Sequence, residues 1–299
     1  MAKILEREVP RLNQQIKLPD GRVLGYDEYG KPDGKPIVHF HGSPSSRIEW
    51  LLFGSEAIAQ ALNIRVIVPD RPGMGLSDFQ VNRRIIDWPK DVVALADHLR
   101  LERFAILGYS GGGPYAAACA LAIPERLTKV GIVSGSGPFD QPGLSDDINA
   151  DSRSFMDLSR DKPWLSRLIL RMMGMMVRFA GAKVVANATA ALPEPDRQIV
   201  ARPEIQKGFL NMLQEALRQG PRGAQRDTLL MISPWEFRPQ DIKMQVQLWH
   251  GEADRNAPPA MGRYVADAIP NSHIQFYPGE GHLSLFAKNA EEYLRFLAD

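Results

Sequence analysis

Apolar and polar positions alternate over Arg11 to Leu18 and again over Arg22 to Tyr29. Pro19-Asp20-Gly21 lies between them, so the pattern predicts two strands joined by a hairpin turn. The period then changes. Short apolar runs at Pro36–Phe40 (P-I-V-H-F), Ile64–Val68 (I-R-V-I-V), Phe104–Leu107, Leu127–Ser134, Val246–Trp249 and Ile274–Tyr277 read as strands. Between them, Ile48–Leu62, Ile86–Leu99, Pro114–Ala122, about Ala260–Ala268 and a final stretch ending at Leu297 have helical spacing. Alternating strands and helices of this length predict right-handed crossovers, and therefore an α/β fold with a largely parallel sheet covered on both faces.

The rhythm breaks after Gly135-Ser136-Gly137-Pro138. From about Phe139 to Trp235 the spacing is helical with no strand pattern. Trp164, Leu165, Leu168, Ile169, Met172, Met175, Met176 and Phe179 fall on one helix face, and Arg167, Arg171 and Arg178 on another. The expectation is that the apolar face is buried, with the Met-rich run able to serve as an adaptable pocket wall where that face roofs a site. An all-helical insertion inside a sheet fold reads as a lid. The division is a core of residues 1–137 and 236–299 and a helical cap of residues 138–235.

Composition narrows the function classes. Lys and Arg number 36 and Asp and Glu 35, a net charge of +1 that gives no electrostatic basis for nucleic acid or an anionic membrane as the main partner. Cys119 is the single cysteine, so no internal disulfide forms. Glu6, Arg7 and Glu8 stand where a signal peptide needs its apolar core. No apolar run reaches the length of a membrane span. The expectation is a soluble cytoplasmic protein.

Gly108-Tyr109-Ser110-Gly111-Gly112 follows a predicted strand and opens a predicted helix. A strand-to-helix turn tight enough to expose a serine hydroxyl leaves no room for side chains two residues to either side, hence glycine there. A flexible glycine loop or a phosphate cradle would use the same residues. A serine nucleophile needs a base, and the base an orienting acid. His39 and His98 lie within predicted elements, while His282 sits in Pro278-Gly279-Glu280-Gly281-His282, between the last strand and the last helix. Asp254 follows the Val246–Trp249 strand, where ligands gather in open α/β sheets; a turn or helix-capping role is its ordinary alternative, and Glu252 is the weaker candidate acid. The order Ser110, Asp254, His282 is that of an α/β-hydrolase triad. An oxyanion needs two donors: the N–H of Gly111, and that of Ser43 in His41-Gly42-Ser43-Pro44, since Pro44 has none. Arg47 reads as a solvent-facing arginine or a binder of a substrate carboxylate, and Cys119 and Tyr109 as packing residues.

Together, His41-Gly42, the loop P-D-R-P-G-M-G-L-S (Pro69 to Ser77), the turn at Ser110, H-G-E-A-D ending at Asp254 and G-E-G-H ending at His282 resemble the α/β-hydrolases of the esterase and lipase superfamily that carry a helical cap. The resemblance covers nearly the whole chain outside the cap. It implies an eight-stranded, mostly parallel sheet, a Ser-His-acid triad and no cofactor or metal. Serine at position 110 disfavours the epoxide hydrolase and haloalkane dehalogenase branches, which use aspartate there. H-G-S-P-S departs from the H-G-G-P-G of proline iminopeptidases. The implied activity is hydrolysis of a small-to-medium apolar acyl ester. Perhydrolysis, C–C bond hydrolysis, amide or aminopeptide hydrolysis, with Glu194, Asp196 and Glu204 as scattered acids for an amine, and a ligand-binding signalling role are the alternatives.

Overall fold

The computed structural model describes residues 10–189 and 192–299, the side chains of 180–189 excepted; Glu6, Arg7 and Glu8 lie outside the described residues. Strands β1 (Arg11–Lys17) and β2 (Val23–Gly30) pair antiparallel across the expected turn. Strands β3 (Lys35–Phe40), β4 (Ile64–Pro69), β5 (Phe104–Tyr109), β6 (Leu127–Val133), β7 (Val246–Gly251) and β8 (Ser272–Tyr277) follow. Among the described residues they form one eight-stranded sheet in the order β1-β2-β4-β3-β5-β6-β7-β8. β2 runs antiparallel to β4, and each pairing onward to β8 is parallel. The sheet fits the predicted α/β class. β5 and β7 are buried at every position; β5 is accordingly a continuous apolar run, while β7 buries Gln247 and His250 among its apolar residues.

The helices, in chain order, are α1 (Ser55–Ala61), α2 (Trp88–His98), α3 (Gly113–Ala122), α4 (Ala150–Asp161), α5 (Pro163–Thr189), α6 (Glu194–Val200), α7 (Pro203–Ala216), α8 (Arg222–Met231), α9 (Pro259–Ala268), α10 (His282–Lys288) and α11 (Ala290–Ala298). α2, α3 and α9 pack on one face of the sheet, around Phe40, Ile106, Tyr115 and Val265. α1, α10 and α11 cover the other, around Val66, Leu107, Phe286 and Leu294. α4 to α8 lie between β6 and β7, where the sequence predicts helices without strands.

Four expectations are corrected. Ile48–Leu62 is not one helix: a 3-10 segment over Arg47–Phe53 ends at Gly54, whose φ of 73° stops the helical ladder before α1. The last helix is two, because Asn289 leaves helical geometry between α10 and α11, and the Tyr293 hydroxyl donates to the carbonyl of Leu285 in the interrupted turn at 3.1 Å. Arg47 neither faces solvent nor reaches for a ligand. It is buried, donating to Asp27 at 3.0 Å, Asp70 at 2.8 Å and Glu215 at 2.6 Å; two carboxylates brought together by β2 and the end of β4 require a cation there. Finally, the apolar face of α5 from Trp164 to Phe179 points outward. The inward face is a second stripe, Ser166, Leu170, Met173 and Val177, of which all but the half-buried Met173 are buried. Both stripes have helical spacing, so the pattern alone could not choose between them.

Asp227 of α8 is the charge on which the insertion is seated. Its fully buried carboxylate accepts from Arg71 at 2.7 Å, Arg83 at 2.6 Å and the Tyr115 hydroxyl at 2.7 Å. Burial pushes this carboxyl up, but the two guanidinium groups outweigh burial and hold it below the usual carboxylate range. Asp227→Ala leaves two buried arginines without their anion, and is expected to destabilise the fold by about 3–5 kcal/mol in urea unfolding; a loss under about 1 kcal/mol would contradict this account of the seat.

Candidate functional site

The loops after β3, β5, β7 and β8 converge at one edge of the sheet, where a parallel sheet gathers its ligands. The loop after β5 is the tightest. Ser110 has φ of 53°, a left-handed value that a serine adopts only when its surroundings impose it. The flanking glycines permit the turn that holds it there: a Cβ on Gly112 would stand 2.1 Å from the Phe40 carbonyl oxygen, and one on Gly108 2.8 Å from the Ala116 Cβ. The expected collision two residues either side of the serine is therefore real.

The Ser110 hydroxyl lies 2.9 Å from His282 Nε2, and His282 Nδ1 lies 2.7 Å from Asp254 Oδ2. Because a carboxylate only accepts, Nδ1 carries the proton and Nε2 is left to accept from the serine. The other oxygen of Asp254 accepts the N–H groups of Asn256 and Ala257 at 2.8 and 2.9 Å, which fixes the carboxylate plane. His250 is a buried neighbour, 3.7 Å from Asp254 and turned to the Ala257 carbonyl at 2.7 Å. Burial pushes the His282 imidazole down, yet the Asp254 carboxylate, helped by Asp196 and Glu49, outweighs burial and holds it above its ordinary value. Burial pushes Asp254 up, and His282 more than reverses this, so the carboxylate stays ionised. Glu252, the weaker candidate acid, makes no such approach to His282; its backbone N–H pairs with the Tyr277 carbonyl.

Ser43 and Gly111 are adjacent: a Cβ on Gly111 would meet the Ser43 nitrogen at 3.4 Å and its Cβ at 2.9 Å. The Gly42–Ser43 peptide is held from several sides. Its carbonyl oxygen accepts from Arg71 Nη2 at 2.7 Å and from His41 Nδ1 at 2.8 Å, while His41 Nε2 accepts the Arg71 backbone N–H at 3.2 Å. The Gly42 N–H donates to Glu49 at 3.0 Å. In a trans peptide the N–H points opposite to the carbonyl, so the Ser43 N–H is turned away from Arg71. Burial, reinforced by Arg71, pushes the His41 imidazole well down, which keeps it neutral and its two roles distinct.

Four residues of this arrangement escape sequence reasoning. Glu49, buried against His39 at 3.2 Å, has one sequence signal, an acid inside the apolar run I-E-W. Arg71 lies in the P-D-R-P-G-M-G-L-S loop without a role legible for it, and Asp227 carries no signal. Asp196 was legible only as a scattered acid and is instead fully buried, closing the N-terminus of α10: its carboxylate accepts the N–H groups of His282 at 2.9 Å, Leu283 at 3.0 Å and Ser284 at 2.9 Å. Gly281 is needed for that approach, since a Cβ there would stand 2.5 Å from the carboxylate. Tyr109 packs, as expected, with its ring 5.2 Å from that of His282 and its hydroxyl donating to the His282 carbonyl at 3.3 Å. Cys119 is buried, which pushes its thiol up and leaves it unreactive.

Ser110 and His282 open on a cavity of about 560 Å³ roofed by the insertion. Most of its wall is apolar, with Leu52, Phe53 and Phe209 on one side and Phe155, Leu170 and Met173 on the other; Asn149, Ser152 and Asn256 form a polar corner. No cluster of potential metal ligands occurs among the described residues.

The chain is similar to a non-heme chloroperoxidase of Streptomyces lividans, 37% identical over 129 residues, which is 41% of this chain and 45% of that protein. The chain spans under half the length of curated relatives that it matches at 30% identity or more. A 2-hydroxymuconate semialdehyde hydrolase of Pseudomonas putida is 25% identical over 97% of this chain and 94% of its own. Among solved structures, a bromoperoxidase from Bacillus anthracis shares the fold with a TM-score of 0.70 at 21% identity, covering 95% of this chain and 99% of that one. The family model for the alpha/beta hydrolase family matches residues 37–296, and with the sheet order and the turn at Ser110 it shows that the chain belongs to the alpha/beta hydrolase family.

Proposed function

We propose that the protein hydrolyses a carboxylic ester of a small-to-medium apolar acid through an acyl-enzyme, with residues 138–235 as its cap. The observation that carries this reading is the unbroken line of hydrogen bonds from Ser110 through His282 to Asp254 at the floor of an apolar cavity. Ser110 Oγ attacks the ester carbonyl carbon while its proton passes to His282 Nε2. The carbonyl oxygen becomes an oxyanion, met by the N–H groups of Gly111 and Ser43. Asp254 stabilises the imidazolium. Collapse breaks the ester C–O bond, and the leaving oxygen takes the proton from His282. Water then gives a proton to His282 and attacks the acyl carbon; collapse breaks the acyl–Oγ bond, Ser110 Oγ takes the proton back from His282, and the acid leaves. The peptide orientation fixed by Arg71 and His41 supports Ser43 as the second donor, because the dipole is placed before charge develops.

A second reading rests on a relative that is matched over nearly the whole chain, a semialdehyde hydrolase: the same residues would cleave a C–C bond beside a carbonyl. For the aminopeptidase alternative, Glu194, Asp196 and Glu204 do not line the cavity and Asp196 is committed to α10, whereas Glu49 and Asp151 do line it.

A fluorophosphonate probe is expected to label wild-type protein and not Ser110→Ala; labelling of the folded variant, or none of the wild type, would overturn the serine assignment. Turnover of p-nitrophenyl esters of graded acyl length, against a vinylogous diketone, separates the ester from the C–C reading. Because the base must be neutral and His282 is held above its ordinary 6.5, kcat/KM is expected to rise through a pKa above that value. Asp254→Asn should lower kcat by about 10³–10⁴-fold at neutral pH; near-normal turnover would point to another acid. Asp196→Asn should move the same pH limb to lower pH and reduce kcat more than it raises KM, an outcome that loss of stability alone does not give.

A further inference from the structure

Among the described residues, seven of the ten exposed large apolar side chains lie on α5, on a face that the proposed chemistry leaves unused. Trp164, Leu168, Met172, Met175, Met176 and Phe179 are exposed in succession along it, Trp164 at 67% and Phe179 at 84%. Exposed apolar side chains scattered singly are ordinary, but an unbroken stripe over four turns marks an interaction site. Its charge says with what. α5 contains Arg167, Arg171, Arg178 and Lys183 and no acidic residue. At 100° per residue Arg167, Arg171 and Arg178 form a row along one edge of the apolar stripe. An apolar face with aromatic residues at both ends and a basic border is the pattern of a helix that lies in a membrane interface.

We propose that α5 docks its outer face on an anionic lipid surface, lying in the headgroup layer without crossing the bilayer. The net charge of +1 does not oppose this, because it averages the local positive charge of α5 with acids placed elsewhere. Among the described residues no helix is long and apolar enough to span a membrane. A second copy of the chain is the less fitting occupant. Antiparallel pairing of two such stripes about a two-fold axis places both arginine rows on the same side, with no acid in either helix to answer them. The inner face of the same helix supplies Leu170 and Met173 to the cavity wall. Docking would therefore set the roof of the cavity against the lipid, the source of an apolar substrate. The docking itself depends on no catalytic assignment and is measured without turnover.

The test is partition of the intact protein between buffer and vesicles of phosphatidylcholine, with and without phosphatidylglycerol. Trp50, Trp88 and Trp249 are buried and Trp235 half-buried, so Trp164 is the exposed tryptophan and the reporter. The protein is expected to sediment with the anionic vesicles, with a blue shift of its emission, and to be released by salt. Arg171→Glu with Arg178→Glu should weaken that binding by about tenfold or more, and Trp164→Ser with Phe179→Ser should weaken binding to a similar extent. Both variants should keep wild-type turnover of a water-soluble short-chain ester, because none of the four residues lines the cavity. The proposal is overturned if folded wild-type protein stays in solution with anionic vesicles, if the variants bind as well as wild type, or if the protein is a dimer that these substitutions convert to monomer.

Discussion

A carboxylate buried among two arginines is stable only while all three charges stay together, and the candidate site hangs on such a group. Asp227 holds Arg71 and Arg83. Arg71, so held, has donors left for the His41 and Gly42 carbonyls, and these fix which way the Gly42–Ser43 peptide faces. Removing any one member strands a charge in a medium that solvates it poorly. The loop after β3 is thus set in place by electrostatics from a helix far along the chain. An anion forming beside Ser110 would meet dipoles that need not turn to receive it.

The histidine side of the site is built by the same means. Desolvation alone would push His282 toward a weak base; three carboxylates reverse it. Asp254 comes from the loop after β7, Glu49 from the segment after β3, and Asp196 from the insertion. Asp196 also holds the first turn of α10 through three backbone N–H groups, so it sets both where the imidazole stands and how strongly it holds a proton.

What could be read from the sequence follows from the range of each cause. The strands at Ile64–Val68 and Phe104–Leu107 are legible because strands buried on both faces are apolar nearly throughout, the half-buried Arg65 paired with Glu28 being the exception. The turn at Ser110 was legible because its steric demand falls on Gly108 and Gly112, two residues away. Asp254 and His282 announced themselves by their place after the last two strands. Asp196 and Asp227 could not be read: a buried acid is identified by its partners, and these partners are 86 to 156 residues distant in the chain. Arg47 was misjudged for the same reason, since Asp70 and Glu215 reach it only in three dimensions. The buried face of α5 is not legible because both of its stripes have helical spacing.

Caps on sheet folds are often pictured as interchangeable attachments that tune specificity while the catalytic base plate stays constant. The placement of Asp196 and Asp227 argues otherwise here. Both are in the insertion, yet one orders the helix that begins at His282 and the other the loop that contains Ser43. A chimera that exchanged residues 138–235 for another segment would lose together the carboxylate that orders the start of α10 and the one that holds Arg71 against the loop after β3. It would have to import both carboxylates, or bury Arg71 and Arg83 unmatched. Replacing the insertion as a unit therefore carries an electrostatic cost that changes at its cavity-facing positions, such as Phe155 or Met173, do not.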